Sequence, residues 1–281
     1  MDIKIAKFIS RGRHLATSSY SNAQPMAITV DSSDLDKILI GTDKSDEIGT
    51  ADTNDHAKKT FYIDGRAGGD MLYLDRSLGG AVLGGNGNDV IYASNSGSAQ
   101  ILGEAGKDKI DAYLNKESVF AYGGDDNDDV FGSDKGDDTL YGDKGNDDVK
   151  GYNGADTLYG GAGKDKLEGG NGDDYIYGQN GKDKLIGGKG NDYMKAGAGK
   201  DKVTGGKGTD TFELSAGQDV ITDYNLGKKE GIVVNKNLFG TNLKITQKGS
   251  DVRILGDGGL SAILKDVNLV DFLAADVVDF I

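Results

Sequence analysis

Aspartates that recur at every ninth residue are the side chains best placed to do chemistry in this sequence. From Ser133 to Glu213 the chain reads as nine consecutive nonapeptides of the form Gly-Gly-x-Gly-x-Asp-x-U-x, where U is apolar. Carboxylate and carbonyl oxygens are hard ligands that select Ca²⁺. We therefore predict metal sites at the sixth-position aspartates and in the tight loops that the fourth-position glycines permit. These residues are Asp138, Asp147, Asp156, Asp165, Asp174, Asp183, Asp192, Asp201 and Asp210, with Gly136, Gly145, Gly154, Gly163, Gly172, Gly181, Gly190, Gly199 and Gly208.

The three residues that follow each aspartate predict a short strand. Alternation along that strand points the apolar eighth residue to one face and its neighbours to the other. Two nonapeptides complete one turn, so alternate loops stack at a strand separation of roughly 4.8 Å. Two facing carboxylates at that distance repel by roughly 1 kcal/mol in water, and by more in a low dielectric, unless a cation lies between them. The sequence therefore predicts a coil with apolar residues inside and stacked aspartates that bind metal. Glycine at the first, second and fourth positions is expected to allow the positive φ of the loop.

These nonapeptides resemble those of the RTX (repeats-in-toxin) proteins, whose repeat forms a parallel β-helix that binds Ca²⁺. The resemblance implies an all-β fold, a parallel β-roll or solenoid of nonapeptides with a small C-terminal β cap. It also implies export by a type I exporter in an unfolded state and folding outside the cell. Burying one apolar side chain per nonapeptide contributes less free energy than is lost in the conformational entropy of the nine residues that become ordered. We therefore expect folding to depend on Ca²⁺.

Residues 41–132 are predicted to form a degenerate roll with calcium loops mainly on one edge. Their loop aspartates follow one another at intervals of 19 or 20 residues, whereas apolar residues continue at about half that interval. The segments DRSLGG, ASNSGS and YLNKES replace the loops that would have carried aspartate at the sixth position. The loop from Gly41 to Ile48 is interpreted as a degenerate first repeat that caps the roll, with Asp46 at the sixth position. The further predicted metal residues are Asp70, Asp89, Asp108 and Asp128.

Stacking assigns the predicted loops to two edges of the roll. With one ion between neighbouring loops, the register sets a ceiling of about eleven Ca²⁺. The site that begins at Gly123 is a weak candidate, because Asp126 occupies its fourth position. One edge takes the loops that begin at Gly65, Gly84, Gly103, Gly123, Gly142, Gly160, Gly178 and Ala196, and the other takes those that begin at Ser133, Gly151, Gly169, Gly187 and Gly205.

The two ends of the chain differ in composition from the regular roll of residues 133–213. Residues 1–40 are basic and are expected to form a flexible N-terminal tail; a segment that seeks a membrane or a partner surface is the alternative. Residues 214–281 carry strand-like runs that we expect to cap the last turn, because an open roll exposes unpaired strand edges. Their last residues also resemble the uncleaved C-terminal signal that type I exporters read.

Composition argues against several classes of function. A net charge of −14 disfavours nucleic acid, and the absence of cysteine removes disulfides and thiolate metal sites. The two histidines, His14 and His56, lie in no H-E-x-x-H motif, and no G-x-S-x-G motif occurs. We therefore predict that the protein is not an enzyme. Lysines beside the loop aspartates, such as Lys164 and Lys166, are expected to offset part of the negative charge of those aspartates. The alternative is that they bind an acidic polysaccharide.

Similarity to RTX proteins that lack an enzyme domain implies a secreted, extracellular protein, which we expect to be a monomer. Length, acidity and repeat density are similar to those of a nodulation protein that symbiotic rhizobia secrete. That resemblance implies an effector that acts on host root cells and on the cation permeability of their membrane. The alternative is an extracellular structural or polysaccharide-binding module of the kind attached to alginate epimerases. The implied partners are Ca²⁺, a type I exporter that reads the C-terminus, and a host membrane or an acidic polysaccharide.

Overall fold

The computed structural model describes residues 27–30, 37–50, 61–75, 79–215, 217–234, 244–256, 261–275 and 278–280. Within these ranges the chain is nearly all β, with one short helix, α1 (Leu269–Ala274), and one 3-10 turn at Leu226–Lys228. No helix in the described ranges is long and apolar enough to cross a membrane. The predicted all-β class is confirmed.

Consecutive strands alternate between two sheets, so the described chain winds as a parallel solenoid. Sheet A contains, in spatial order, β1 (Ala27–Val30), β3 (Glu47–Thr50), β5 (Met71–Asp75), β7 (Val90–Ser94), β9 (Lys109–Asp111), β11 (Asp129–Phe131), β13 (Asp148–Asn153), β15 (Lys166–Asn171), β17 (Lys184–Lys189), β20 (Lys202–Lys207), β22 (Gln218–Ile221), β26 (Ser261–Leu264), β25 (Asp251–Leu255) and β24 (Lys244–Lys248). Sheet B contains β2 (Lys37–Ile40), β4 (Phe61–Asp64), β6 (Gly80–Asn86), β8 (Ala99–Ala105), β10 (Val119–Asp125), β12 (Thr139–Gly145), β14 (Thr157–Gly163), β16 (Tyr175–Gly181), β18 (Tyr193–Lys195), β21 (Thr211–Leu214), β23 (Gly231–Val234) and β27 (Val278–Phe280), with β19 (Ala198–Gly199) beside β16.

Each strand of the roll pairs in parallel with the strand one full turn later. In the regular repeats this pairing aligns Leu140 with Leu158, and Leu158 with Ile176. Upstream, where the aspartates are more widely spaced, it aligns Leu72 with Ile91. Apolar eighth-position residues therefore lie in register along the axis of the roll. The register confirms the prediction of two nonapeptides per turn.

The interior of the roll is a column of aliphatic side chains contributed by both sheets. The eighth-position residues of the regular repeats are buried, from Leu140 to Phe212, and the column continues upstream through Val130, Ile110 and Ile91. Burying a side chain of this kind contributes about 1.5–3 kcal/mol. Alternate apolar residues thus hold the two sheets together, as the strand pattern predicts.

Both ends of the roll contain elements outside the regular repeat. At the C-terminal end, β24, β25 and β26 extend sheet A as an antiparallel meander. Phe272 in α1 lies edge-on to Tyr224, which contacts Phe212, so these rings cover the apolar interior at its last turn. At the N-terminal end, β1 and β2 lie within the segment 1–40 for which the sequence predicts a tail. The residues on which the surface-seeking interpretation rests, from Ile3 to His14, lie outside the described residues.

The outer face of sheet B carries an aromatic ladder that the repeat formula does not predict. Tyr122, Tyr141, Tyr159 and Tyr177 stack ring on ring, with centroid separations of 4.4, 4.6 and 5.0 Å. Strand pairing places these residues in register on β10, β12, β14 and β16. Aromatic pairs add roughly 0.5–1.5 kcal/mol beyond their burial. The ladder therefore stabilises consecutive turns from outside the core.

Candidate metal columns

Loops at the two edges of the roll hold two columns of buried aspartates. Edge 1 comprises the loops that run from sheet B to the next strand of sheet A, and edge 2 comprises those that run from sheet A to sheet B. Every column aspartate is at most 4 % exposed, and all of the aspartates predicted as metal ligands lie in the columns. Edge 1 contains Asp46, Asp70, Asp89, Asp108, Asp128, Asp147, Asp165, Asp183, Asp201 and Asp219, and edge 2 contains Asp138, Asp156, Asp174, Asp192 and Asp210.

One oxygen of each carboxylate belongs to a hydrogen-bond ladder along the column. On edge 2 the backbone N–H of Asp156 donates to Oδ1 of Asp174, one turn later, at 2.9 Å. The same contact joins every neighbouring pair of edge 1, as far as Asp201 and Asp219 at 3.3 Å. Asp219 lies beyond the last regular nonapeptide and was not among the predicted ligands. Its place in a Gly-x-Asp-x-Ile segment is the signal that would have found it.

The second oxygen of most of these carboxylates has no hydrogen-bond partner. Among the described residues, Oδ2 is both buried and unbonded in twelve column aspartates. A buried carboxylate with an uncompensated oxygen is strongly unfavourable unless a cation or a proton offsets it. The unbonded atoms therefore mark where a cation would bind. They belong to Asp70, Asp89, Asp108, Asp128, Asp147, Asp156, Asp165, Asp174, Asp183, Asp192, Asp201 and Asp210.

Oxygens from two successive loops converge beside the first-position glycine. A Cβ atom on Gly84 would lie 2.6 Å from Oδ2 of Asp89 in its own loop and 2.8 Å from the carbonyl oxygen of Gly103 in the next loop. A Cβ atom on Gly160 would meet the corresponding two oxygens at 2.7 Å each. No side chain fits there, which explains why glycine occupies the position. A carboxylate and a carbonyl line the space, and both are ligand types that Ca²⁺ prefers.

Fourth-position glycines supply the backbone shape of the loops. Their φ values run from 132° at Gly172 to 157° at Gly199, a region that residues with a Cβ atom seldom adopt. Gly136 does not share this positive φ, and Asp126, which replaces the glycine of its loop, has a φ of 82°. First-position glycines such as Gly142 lack positive φ as well. The expectation of a left-handed backbone at the first position is therefore wrong, and the close approach of oxygens is the reason for glycine there.

Burial raises the pKa of several column carboxyls well above their ordinary range. Desolvation is the largest cause and raises the pKa of Asp70 to about 7 and the pKa values of Asp128 and Asp174 to about 8. The ladder N–H groups lower each pKa, whereas aspartates in the adjacent loops raise it again. Without a cation the columns would therefore hold protons near neutral pH. A divalent cation would compete with those protons for the same oxygens.

Upstream of Asp138, other residue types occupy the glycine and aspartate positions of edge 2. Strand register aligns Asp138 with Val119 and Ala99, and it aligns the first-position glycines with Ala112 and Ala93. These four aliphatic residues are at most 3 % exposed. Within residues 79–131, aliphatic contacts and a buried hydrogen bond from the N–H of Ser96 to Oδ1 of Asn115 thus close the edge that a glycine and a carboxylate close downstream. The aspartate column of edge 2 begins at Asp138.

A match to a protein-family model identifies the repeat. The model of the RTX calcium-binding nonapeptide repeat, in four copies, matches residues 82–110, 122–158, 133–167, 150–185, 159–194 and 186–221. Residues 82–110 and 122–221 therefore match the RTX repeat. RTX nonapeptide repeats bind calcium, and the matched stretches contain every aspartate with an unbonded Oδ2 except Asp70.

Two solved structures resemble the RTX solenoid of this chain. The AlgE6R3 subunit of the Azotobacter vinelandii mannuronan C5-epimerase is 24 % identical, with a TM-score of 0.31, over 43 % of this chain and 80 % of the subunit. Extracellular lipase LipA from Serratia marcescens is 17 % identical, with a TM-score of 0.38, over 75 % of this chain and 44 % of the lipase. Likeness at this level carries no argument about function. No curated protein matches the chain.

The donor set of the RTX loops fits Ca²⁺. The ion takes six to eight oxygen ligands, a mixture of carboxylates and backbone carbonyls. Column aspartates would contribute the unbonded Oδ2 atoms, and first-position residues of the next loop would contribute carbonyl oxygens. When bound, Ca²⁺ supplies the positive charge that offsets the stacked carboxylates. The ladder N–H groups hold those carboxylates in place for it.

Proposed function

We propose that this protein is a secreted, non-enzymatic calcium-binding protein that folds when it meets Ca²⁺ outside the cell. The observation that supports the proposal is the pair of columns in which buried carboxylates carry unbonded Oδ2 atoms. Stacked carboxylates repel one another without a cation, so metal binding and folding are linked. Low free Ca²⁺ inside a cell favours the unfolded chain that export requires, and extracellular Ca²⁺ completes the fold.

The proposed ligands are the column aspartates whose Oδ2 has no partner in the protein. Fourth-position glycines shape the loops, and first-position glycines leave room for oxygens of two loops to meet. One ion would lie between neighbouring loops of each edge. The eight loops from Asp70 to Asp201 on edge 1 and the five from Asp138 to Asp210 on edge 2 have seven and four gaps, which keeps the number of ions at or below about eleven. Counting the ions in the folded protein by native mass spectrometry measures this ceiling, and saturation at two or three ions would contradict the assignment of sites.

Far-UV circular dichroism in chelator, and then in millimolar Ca²⁺, tests calcium-dependent folding. At neutral pH we expect the spectrum of a largely unfolded chain in chelator and a β spectrum after Ca²⁺ is added. Asp174→Asn should shift the transition to higher Ca²⁺, because it removes one buried column charge. Asp173→Asn is the matched control, since the neighbouring aspartate is exposed and lies outside the column. An unchanged β spectrum in chelator at neutral pH, or equal Ca²⁺ midpoints for the two variants, would contradict the proposal.

We propose a finer role from the resemblance to nodulation protein O of rhizobia. In this role a type I exporter reads the C-terminus, and the secreted protein alters the cation permeability of host root membranes. Length, acidity and repeat density support the resemblance. Calcium-dependent ion leakage from liposomes tests the membrane step. Removal of residues 272–281 tests export, and unchanged secretion of the truncated chain would reject this route.

Lysines on the outer face of sheet A favour a second candidate function, the binding of an acidic polysaccharide. Lys166, Lys184 and Lys202 lie in register on β15, β17 and β20, one on each turn. Lys182 and Lys200 are exposed on the adjoining edge 1. Turns repeat at about 4.8 Å, close to the length of one sugar unit in an extended glycan. A polyuronate along the axis would therefore place about one carboxylate beside each lysine.

Affinity chromatography on immobilised polyuronate separates this second function from the first. The double variant Lys184→Gln and Lys202→Gln should elute at lower salt, because exposed charge contacts are screened by salt. Lys244→Gln with Lys248→Gln is the matched control, since it removes the same charge from exposed positions of the cap. Equal elution of the two double variants would reject the lysine face as the binding surface.

A further inference from the structure

The first aspartate of each column accepts hydrogen bonds on Oδ2 from its own loop, whereas Oδ2 is unbonded in twelve other column aspartates. Asp138, the first aspartate of edge 2, accepts the backbone N–H of Ser133 on Oδ2 at 2.6 Å. Its Oδ1 accepts the N–H of Val119 at 2.7 Å and the hydroxyl of Ser133 at 3.1 Å. Asp46, the first aspartate of edge 1, accepts the N–H of Thr42 on Oδ2 at 2.5 Å and the hydroxyl of Thr42 at 3.0 Å. Both carboxylates thus have donors on the oxygen that is unbonded elsewhere.

The loop of Asp138 is one residue longer than the regular loops of edge 2. Strand register aligns Gly132 with Gly151 and Asp138 with Asp156, so the first interval is six residues and the second is five. Counting back from Asp138 by the repeat formula assigns the first position to Ser133. The structure instead places Gly132 at that position and makes Ser133 the inserted residue.

The inserted serine turns its polar atoms toward the carboxylate. Ser133 is fully buried, and its hydroxyl also accepts the N–H of Gly136 at 2.8 Å. With three donors, the carboxylate of Asp138 is satisfied as an anion without a metal. An N–H aimed at Oδ2 also presents the positive end of its dipole to the place where a cation would bind. Donor and cation would therefore compete for one oxygen.

We propose that Ser133 and Thr42 close the first gap of each column in place of calcium. The gap between Asp138 and Asp156 then holds no ion, nor does the gap between Asp46 and Asp70. This inference rests on the proposed role of the columns in calcium binding, and it corrects the motif-based assignment of Asp138 as a ligand. On edge 2 the closure lies where the aliphatic loops end and the aspartate column begins. A hydrogen-bonded turn that needs no metal thus joins the metal-free part of this edge to the metal-binding part.

Deletion of Ser133 tests the closure as a gain of a metal site. The deletion leaves the loop Gly-Asp-Lys-Gly-Asp-Asp, which has the length and glycine positions of the loop Gly142–Asp147, Gly-Asp-Lys-Gly-Asn-Asp. Native mass spectrometry of the folded protein in excess Ca²⁺ should find one more ion in the deletion variant than in the parent. An equal number of ions in the two folded proteins would overturn the proposal.

A pair of substitutions decides the question if the deletion variant does not fold. Asp138→Asn should leave the number of bound Ca²⁺ unchanged, whereas Asp174→Asn, at an unbonded column position, should lower it by at least one. Loss of the same number of ions from both variants would overturn the closure. Loss of no ion from either variant would instead reject the proposed calcium columns, so the two proposals fail in different ways.

Discussion

Edge 2 of the roll is built in two ways, and the difference shows what a cation does there. Downstream of Asp138, each loop pairs a first-position glycine with a buried aspartate. Upstream, the same register positions carry Ala93 with Ala99, and Ala112 with Val119. The parallel pairing of strands continues across the junction without a break. The upstream edge also contains a neutral hydrogen bond, from the buried N–H of Ser96 to Oδ1 of Asn115. Aliphatic contacts with a neutral hydrogen bond can therefore close the edge of a stacked turn, and so can aspartates with a metal.

Removal of Ca²⁺ should give the largest difference between the two regions. Chelation takes the cations from both edges of β12 to β20, whereas edge 2 of β6 to β10 keeps its aliphatic contacts and the hydrogen bond between Ser96 and Asn115. We expect hydrogen exchange in chelator to become fast across β12 to β20 and to remain partly slowed in β6 to β10, because local opening depends on the contacts that remain. Exchange followed by mass spectrometry measures this. Equal loss of protection in both regions would show that the aliphatic loops do not replace the metal.

Two substitutions at edge 2 should separate packing from metal binding. Leu74, which is fully buried and in register with Ala93, closes the edge upstream. Leu74→Ala should lower the free energy of unfolding by about 2–5 kcal/mol at any Ca²⁺ concentration, because it leaves a cavity. Asp192→Asn should reduce the slope of stability against the logarithm of Ca²⁺ concentration, since fewer ions bind on folding. Urea unfolding at several Ca²⁺ concentrations gives both quantities. A change in the Ca²⁺ dependence of stability in Leu74→Ala would show that packing and metal binding at this edge are not separate.

The spacing of residues in the sequence predicts the coil and the columns, because each repeated residue has a local reason for its type. Aspartate and glycine recur where the loops need oxygens and space, and the buried eighth residues mark the core. The place of Ser133 could not be predicted in this way, because the loop length is set by pairing with Gly151 one turn later. The tyrosine ladder was missed for a similar reason. Tyr141 occupies an unspecified position of the repeat, and its partners are defined only by stacking of the turns.

Acidification of the chelated protein should stabilise the roll. The pKa values of column carboxyls are raised from 3.8 to about 6 at Asp147 and to about 8 at Asp174, with burial as the largest cause. The folded chain therefore binds protons more tightly than the unfolded chain does. Its carboxyls contribute stability that is complete below their ordinary pKa and is lost as pH rises through about 6–8. The region from β12 to β20, which has aspartate columns on both edges, should lose more stability than the region from β6 to β10, which has one column.

Thermal unfolding at several pH values measures this dependence. In chelator the midpoint temperature of unfolding should decrease as the pH is raised from about 5 to about 8. In saturating Ca²⁺ the sign should reverse, because protons then compete with the ion for the carboxylates. A midpoint in chelator that does not change with pH would mean that the columns are solvated when empty, and that burial is not what makes a cation necessary.

The smallest effect is expected at the tyrosine ladder, which crosses the junction between the two regions. Tyr141 stacks on Tyr122 on the upstream side at 4.4 Å and on Tyr159 on the downstream side at 4.6 Å. Tyr141→Leu should lower stability by roughly 0.5–1.5 kcal/mol per stack and leave the dependence on Ca²⁺ unchanged, because the rings lie outside the metal columns. Tyr175→Leu is the control, since Tyr175 is 52 % exposed and only tilted against Tyr193. If Tyr141→Leu changed the Ca²⁺ dependence, the outer face and the edges would be coupled, and the two ways of closing a turn would not be independent of the rest of the roll.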